Sequence, residues 1–314
     1  MDNLTHSLAG WALGQTGLKT KSRKGLAALI LGANMPDIDV FFGKFPWDPL
    51  AIHRGFTHSF IGGAVVMPPV LAGLLWLLDR WQVSRGKTFR SGLPMRFGWL
   101  VALTYIGAVS HPSLDVLTTY SVQLFSPFSN DWFHAEALFI IDLYLWLLLG
   151  GAIFWSKRLE KRGGNWRLPA QAAVAIGLAY IAANLLISWR AHSAVHRWAA
   201  RRPVESVFAS PPPFYFWRRE LVWREGEDCY RRSAYAPFAG MAPVTACEPT
   251  KMADPLVLEA IRRNPGLQKF LKWSILPQAN VEQSRCSARV VIGDARYGRG
   301  ANSRLGREAV IRTC

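Results

Sequence analysis

The residues best suited to chemistry are histidines and aspartates that lie within or beside apolar segments. They occur in four short motifs and at two later positions: Thr5–Ser7, Asn34–Asp39, His53–Ser59, Ser110–Asp115, His134 and Asp142. Ionisable groups inside a membrane are costly, and by default they mark a functional site. The pattern therefore predicts a polar site inside an otherwise apolar bundle.

The spacing within these motifs fits metal ligation. His111 and Asp115 are four residues apart and share one face of a helix. Asp37 and Asp39 alternate in a turn after a proline, so an extended turn would point both side chains the same way. Imidazole and carboxylate are zinc ligands, and manganese and iron also accept them. We expect two or more divalent ions, with zinc as the first choice, and seven ligands: His6, Asp37, Asp39, His53, His58, His111 and Asp115.

Three residues are candidates for catalytic roles beside the metal. Asp39 and Asp142 are the expected bases, because each lies beside the ligands in the sequence. Asp142 could equally orient a ligating histidine. Arg54 lies between two histidines and could hold an anionic substrate group or pair with Asp48. His134 fits a membrane-interface residue better than a ligand.

The elements that must position these residues are apolar helices. Half of the residues are hydrophobic and only 18% are charged, against roughly 25% in soluble domains. Four runs are long enough to cross a bilayer, namely Ser59–Leu78, Phe97–Leu114, Ala137–Ser156 and Leu168–Trp189. Two shorter runs, Leu4–Leu18 and Gly25–Met35, predict a helical hairpin that cannot cross alone. The predicted fold is an α-helical integral membrane bundle of four long transmembrane helices plus this hairpin, followed by a soluble α+β domain.

The charges of the loops orient the predicted helices. Arg80–Arg96 and Lys157–Arg167 carry five Lys or Arg each, whereas Thr119–His134 between them carries none. The positive-inside rule makes the two basic loops cytoplasmic. The arginines after Trp189 argue against this assignment, but two strongly biased loops outweigh them. The His and Asp motifs then lie at the outer face of a bacterial inner membrane, with the C-terminal domain in the periplasm.

The C-terminal part of the chain has a different character. We expect a membrane-embedded domain at residues 1–190 and an extracytoplasmic domain at 191–314, which is rich in proline, arginine and short alternating runs. All four cysteines lie in this second part. An even number of cysteines in an oxidising compartment predicts two disulfides, and three pairings are open.

The net charge of +16 invites a nucleic-acid partner, but its distribution argues against one. In residues 1–189, 14 of the 16 Lys and Arg lie in three basic loops, so membrane topology accounts for them. The expected partner is instead a membrane lipid or a lipid-linked substrate. The oligomeric state is open.

The motifs resemble those of a known family. Leu4–Gly10, Asn34–Asp39, His53–Ser59 and His111–Asp115, with Asp142 on the next helix, resemble a family of bacterial inner-membrane proteins described as metal-dependent hydrolases, which includes a LexA-regulated member. The resemblance covers about residues 1–190, and Asp294–Tyr297 resembles the end of longer members. The His-xxx-Asp and paired-Asp pattern is also similar to the metal sites of zinc-dependent phospholipase C and P1-type nucleases.

The resemblance implies an enzyme, a membrane-bound metal-dependent hydrolase. We expect it to act at the outer leaflet on a lipid-linked or envelope phosphoester or ester, through metal-activated water. The alternative is a non-catalytic metal-binding or metal-transporting membrane protein. A transporter would need ligands along a path through the membrane, whereas these motifs stop at one face. A membrane protease is disfavoured because no His-Glu-x-x-His helix is present.

Overall fold

The computed structural model describes residues 1–200, 202–298, 305–312 and 314, without the side chains at 48 and 49. The chain divides into two compact units, Met1–Leu185 and Leu186–Cys314. The boundary lies inside a long helix, close to the boundary expected at residue 190. Each unit has its own core and is described by itself.

The first unit is helical. Its α-helices are α1 (Asn3–Gln15), α2 (Gly25–Asn34), α3 (Asp48–Ala51), α4 (Met67–Ser84), α5 (Phe97–Asp115), α6 (Leu143–Lys161) and α7 (Arg167–Ala199), of which α7 continues into the second unit. Three 3₁₀ helices, Leu18–Thr20, Met35–Phe42 and Phe56–His58, and one π-helix, Phe60–Val66, connect them. The predicted N-terminal hairpin is present as α1 and α2, with the basic loop between them.

Three segments of the described chain are long and apolar enough to cross a membrane, namely Gly25–Phe42, Phe60–Ser84 and Arg167–Ala199. Two of them match predicted transmembrane helices. The other two predicted spans form the helices α5 and α6, but neither is confirmed as a span. The segment Gly25–Phe42 qualifies because a 3₁₀ helix extends α2, which was expected to be too short to cross by itself.

The predicted third long helix begins later than expected. Residues 137–142 are not helical, and α6 starts at Leu143. The reason is Asp142, whose Oδ1 accepts a hydrogen bond from the backbone N–H of Leu145 at 3.0 Å and so caps the helix. The hydrophobic pattern did not show this start, because apolar residues lie on both sides of the cap.

Glycines let α1, α2 and α5 approach closely. A Cβ on Gly10 would lie 2.7 Å from the carbonyl oxygen of Leu29, and one on Gly107 would lie 2.5 Å from the same oxygen. A Cβ on Gly32 would lie 2.9 Å from the carbonyl oxygen of Thr104. Small residues at such crossings are typical of packed membrane helices. The close crossings bring the N-terminal turn of α1, the end of α2 and the end of α5 together.

The second unit combines α and β structure, as predicted. Its elements after α7 are β1 (Val204–Ser210), β2 (Arg219–Glu225), β3 (Cys229–Ala236), β4 (Gly240–Met241), β5 (Glu248–Pro249), α8 (Pro255–Arg263), α9 (Pro265–Trp273), β6 (Pro277–Gln283), β7 (Ser287–Asp294) and β8 (Arg307–Arg312). One antiparallel sheet has the order β1-β2-β3-β4, with β5 on β3, and a second has the order β6-β7-β8.

Each sheet of the second unit has its own apolar core. Ala191 and Val195 of α7 pack against Leu221 and Trp223 of the first sheet. The second sheet packs against α8 and α9, where Val257 and other buried aliphatic side chains meet it. Two disulfides, Cys229–Cys247 and Cys286–Cys314, lie in this unit and confirm the predicted number. They join a strand to a loop in the first sheet, and the start of β7 to the chain end in the second.

Candidate metal centre

Five segments of the first unit deliver polar side chains to one place. They are the first turn of α1 with His6, the 3₁₀ helix with Asp37 and Asp39, the loop with His53 and Arg54, the 3₁₀ helix with His58, and the last turns of α5 with His111 and Asp115. The predicted ligands therefore come together, although 109 positions separate His6 from Asp115 in the sequence (115 − 6). Five of them are buried: His6, Asp39, His58, His111 and Asp115.

The centre of the cluster consists of Asp37, His58, His111 and Asp115, whose ligand atoms all lie within 4.8 Å of one another. Asp37 Oδ1 lies 3.4 Å from Nε2 of both His58 and His111. Asp115 Oδ2 lies 3.3 Å from Nε2 of His58 and 3.4 Å from Nε2 of His111. The two Nε2 atoms are 3.0 Å apart.

These separations have a simple physical meaning. Ligand atoms that each lie about 2.1 Å from a tetrahedral ion are roughly 3.4 Å from one another. Five of the six separations among the four atoms fall between 3.0 and 3.4 Å, and the sixth, between Asp37 and Asp115, lies within 4.8 Å. Five separations therefore match those of a tetrahedral ligand set.

The hydrogen bonds of His111 and His58 support the same conclusion. His111 Nδ1 lies 2.6 Å from the carbonyl oxygen of Ala33, which can only accept, so Nδ1 carries the proton. His58 Nδ1 faces Asp39 Oδ2 at 3.2 Å, which favours a proton there too. In the neutral rings both Nε2 atoms then present lone pairs to each other and to two carboxylates. A cation between them would remove this repulsion.

Further buried polar atoms in the cluster receive no hydrogen bond. Both carboxylate oxygens of Asp115 and both ring nitrogens of His6 are buried without a hydrogen-bond partner among the described residues. His6 Nε2 lies 3.3 Å from Asp115 Oδ1, its ring stacks on His111 at 3.7 Å, and the α-amino group of Met1 contacts the same carboxylate. Buried polar atoms are nearly always satisfied, so such a group points to a ligand.

Asp39 differs from Asp115 because its oxygens are occupied. Oδ1 lies 2.8 Å from His53 Nδ1, and Oδ2 accepts hydrogen bonds from the Arg54 backbone N–H at 3.0 Å and from Thr57 Oγ1 at 2.8 Å. A carboxylate held in this way orients the two histidines that it faces. Asp37, Asp39 and His53 also form a second group that could hold an ion, and His53 is its exposed member.

Arg54 is buried and points into the cluster. Its NH2 lies 3.3 Å from Asp115 Oδ1, its NH1 donates to Thr118 Oγ1 at 3.3 Å, and its guanidinium lies 5.1 Å from the ring centre of Tyr120. The expected alternative partner, Asp48, has a side chain outside the described part of the structure. Arg54 therefore contacts a predicted metal ligand directly, and the sequence did not indicate this contact.

The charges of the cluster do not balance without a cation. Three aspartates contribute −3 and Arg54 contributes +1, if the histidines and the buried α-amino group of Met1 are neutral. The remainder is −2 (−3 + 1), in a place where burial makes unpaired charge costly. A divalent ion fits both the donor set and the sign of this charge.

Asp142 and His134 make contacts outside the two candidate ligand groups. Asp142 belongs to neither candidate ligand group; besides capping α6, its Oδ2 accepts a hydrogen bond from Tyr180 Oη at 3.0 Å. His134 pairs through Nδ1 with the buried carboxylate of Glu136. Asp142 thus caps α6, and its expected catalytic role stays a prediction.

Two threonines of the site were missed by the sequence analysis. Thr57 Oγ1 donates a hydrogen bond to Asp39 Oδ2 and lies 3.0 Å from His58 Nδ1. Thr118 Oγ1 accepts a hydrogen bond from Arg54 NH1. Thr57 could have been found, since it lies inside the motif His53–Ser59. Thr118 carries no comparable signal, because it follows α5 in a stretch of ordinary polar residues.

A family model described as YdjM inner membrane protein matches residues 1–191. The matched region contains every residue of the cluster and ends within α7, so most of the second unit lies outside it. The chain matches no curated protein and no solved structure. Because the match covers more than half of the 314 residues, the chain belongs to the YdjM inner membrane protein family.

Proposed function

We propose that this chain is a membrane-bound metal-dependent hydrolase, with Asp37, His58, His111 and Asp115 as the ligands of a divalent ion. The observation that carries the proposal is the close spacing of their four ligand atoms, with five of six separations near the tetrahedral value, in a buried place. His6, which contacts both Asp115 and His111, is a fifth ligand or supports those two. Two histidines with two carboxylates suit zinc first, and manganese or iron next.

When bound, the metal supplies a Lewis acid and lowers the pKa of water toward neutrality. The role that each residue can take in the reaction depends on the solvent exposure of its side chain. Asp37 and His53 are the members that reach the surface, with side-chain exposures of 12% and 48%. We therefore place the substrate on the side of Asp37 and His53.

Proton transfer is assigned to the pair of His53 and Asp39. Asp39 was the expected base, but its oxygens already accept hydrogen bonds, so it positions rather than reacts. His53 is exposed and is oriented by Asp39, and a histidine ring can both accept and donate a proton. Metal stoichiometry tests this assignment: two bound equivalents would instead make Asp39 and His53 ligands of a second ion that shares Asp37.

Arg54 is proposed to position Asp115 and not to bind substrate. Its burial and its contact with Asp115 support this role over the expected capture of an anionic group. Arg54→Lys keeps the charge but loses the planar fork. We expect it to lower metal affinity at unchanged KM. A raised KM with normal metal content would restore the substrate-binding role.

The substrate is proposed to be an ester or phosphoester of a lipid or envelope component, hydrolysed at the outer leaflet. Two observations support this placement: the loop charges, and the two disulfides of the second unit, which form in oxidising compartments. Convergence of the ligands at one place also favours an enzyme over a transporter, which needs a series of sites.

The test begins with metal analysis of the detergent-purified chain carrying its tag at the C-terminus, so that Met1 is unaltered. Metal-replete protein is then offered phosphomonoesters, phosphodiesters and carboxylic esters, with Asp115→Asn as the inactive variant and Asp142→Asn as the matched control. We expect bound zinc or manganese and hydrolysis by wild type and control only. Metal-replete protein that hydrolyses none of these would favour the non-catalytic alternative, and protein that cannot be loaded would refute the site itself.

A further inference from the structure

The two ends of the first sheet differ in chemistry. The loop Pro211–Arg218 joins β1 to β2, and the turn 237–239 joins β3 to β4. Because Arg219 pairs with Tyr235, both connections lie at the same end of the sheet. They carry four exposed aromatic side chains: Phe214, Tyr215, Trp217 and Phe238. We call this the aromatic end.

The opposite end, which we call the acidic end, carries an acidic turn, and Arg231 pairs with Glu225 there. The turn between β2 and β3 has the sequence Glu225-Gly226-Glu227-Asp228, and Glu227 and Asp228 are exposed. Large exposed aromatic residues are unusual on a soluble surface, and a group of them marks an interaction site. The contrast between the two ends indicates that the sheet contacts its partner with the aromatic end and keeps the acidic end away from it.

Arg219 holds the aromatic end beside Ser188 of α7. This arginine is fully buried, and its Nε donates to Ser188 Oγ at 2.8 Å. Its NH1 donates to the carbonyl oxygen of Arg218 at 2.7 Å and so holds the end of the aromatic loop. Farther along the same helix and strand, the rings of Trp198 and Trp223 pack at 5.3 Å. Residues 188–198 of α7 and strand β2 therefore run side by side, with the aromatic end at Ser188.

Ser188 lies where the apolar part of α7 ends. The charge-free run extends from Leu168 to Trp189, and Arg190 follows it. At 1.5 Å per residue the 33-residue helix is roughly 50 Å long, whereas a bilayer core is about 30 Å thick. The segment from Arg190 onward thus leaves the bilayer, and Ser188 and the exposed Trp189 lie at its boundary.

We propose that the aromatic end of the first sheet inserts into the headgroup region of the leaflet from which α7 emerges. Its occupant is the lipid interface, where Trp and Tyr rings are enriched because one side of the ring is apolar and the other carries a polar group. Arg218, whose guanidinium lies 5.4 Å from the ring centre of Tyr215, adds a donor for lipid phosphate. The acidic end then faces away from anionic lipid. This inference is independent of metal binding and of hydrolysis.

The test uses the full chain in lipid nanodiscs of phosphatidylcholine and phosphatidylglycerol. The four native cysteines are disulfide-bonded, so Phe214→Cys provides one free thiol for the environment-sensitive fluorophore NBD. Glu227→Cys at the acidic end is the matched control, and Phe238→Cys is a second probe should the first variant fold poorly. Emission is measured with doxyl-labelled lipid and with aqueous iodide as quenchers.

We expect a blue-shifted emission at positions 214 and 238, with several-fold stronger quenching by doxyl lipid than at 227. Iodide should give the opposite order. Equal, water-like emission at all three positions would overturn the proposal. Shielding of 214 from iodide without quenching by doxyl lipid would also overturn it, because a protein surface would then cover the aromatic end.

Discussion

The two units each contain a buried ionic cluster, and the clusters are built in opposite ways. In the second unit, Asp294 Oδ2 accepts hydrogen bonds from Ser274 Oγ at 2.7 Å and from the backbone N–H of Ile275 at 3.0 Å. Its Oδ1 accepts from the backbone N–H and Nε of Arg296 at 2.9 and 2.8 Å. Burial alone would raise the pKa of Asp294, but Arg296 and these hydrogen bonds outweigh it and hold the pKa below its usual range.

The cluster of the first unit is paired only on one side, where Arg54 and the α-amino group of Met1 contact Asp115 Oδ1. On the other side, Asp115 Oδ2 and the Nε2 atoms of His58 and His111 face one another. An ion pair whose charges and hydrogen bonds are all satisfied stabilises a fold. Carboxylate oxygens and imidazole lone pairs that face one another are instead stabilised by a bound cation. The difference makes the first cluster a candidate metal site and the second a structural element, although both place charge in the interior.

The largest effect is expected from Asp115→Asn. The amide keeps the shape of the side chain but removes one of two anionic ligands of the four-residue centre and leaves Arg54 without its carboxylate partner. We expect stoichiometric metal to be lost and hydrolysis with it. Metal content by mass spectrometry of the purified variant provides the measurement. Normal metal content in Asp115→Asn would show that Asp115 serves Arg54 alone.

Asp294→Asn should have the converse effect. Breaking a buried pair costs about 3–5 kcal/mol, because the remaining charge is uncompensated. We expect the second unit to unfold at lower denaturant concentration, while metal content stays unchanged. Chemical denaturation followed by metal analysis separates the two outcomes. A loss of metal in this variant would contradict the independence of the two clusters.

The pH dependence of the second unit follows from the same residue. Because the pKa of Asp294 is lowered on folding, its stabilisation is present above the unfolded pKa of about 3.9. That stabilisation disappears as the pH falls through the lower, folded pKa. Denaturation at pH 7 and pH 3 should therefore show a smaller acid sensitivity in Asp294→Asn than in wild type. Equal sensitivity would remove Asp294 from the acid response.

The sequence predicted those features of the site that local motifs encode, and it missed contacts between residues far apart in the chain. The motifs identified His58, His111 and Asp115, because imidazole and carboxylate in apolar segments already indicate a ligand set. The contact of Arg54 with Asp115 and the capping of α6 by Asp142 could not be predicted from such motifs. The contact of Arg54 with Asp115 crosses 61 positions of sequence (115 − 54), and no local pattern reports it.

The fold likewise has features that local sequence patterns predicted and features that they missed. Hydrophobic runs predicted α4 and α7 as candidate spans, and the cysteine count predicted two disulfides. The start of α6 was missed because a single capping aspartate outweighs the hydrophobicity of the residues before it. The close approach of α1, α2 and α5 depends on which glycines meet across helices, and that pairing exists only in three dimensions.

Asp39→Asn should produce a smaller change than Asp115→Asn. Residues that orient metal ligands typically contribute about 10–100-fold to metal affinity. The substitution weakens the support of both His53 and His58 while leaving the four central ligands in place. We expect bound metal at saturating concentration but a Kd raised by that factor, measured by competition with a chelator. A complete loss of metal would make Asp39 a direct ligand, as the sequence analysis expected.

Asp142→Ala should have the smallest effect, and it sharpens the contrast within the first unit. Asp142 is also a buried aspartate of an apolar region, but its oxygens are occupied by the Leu145 N–H and the Tyr180 hydroxyl. Loss of a helix N-cap typically costs about 0.5–2 kcal/mol. Metal content and Kd should therefore match wild type, while thermal stability in detergent falls modestly. If Asp142→Ala lost metal, as is expected of Asp115→Asn, hydrogen-bond satisfaction would fail as the criterion that separates binding aspartates from structural ones in this chain.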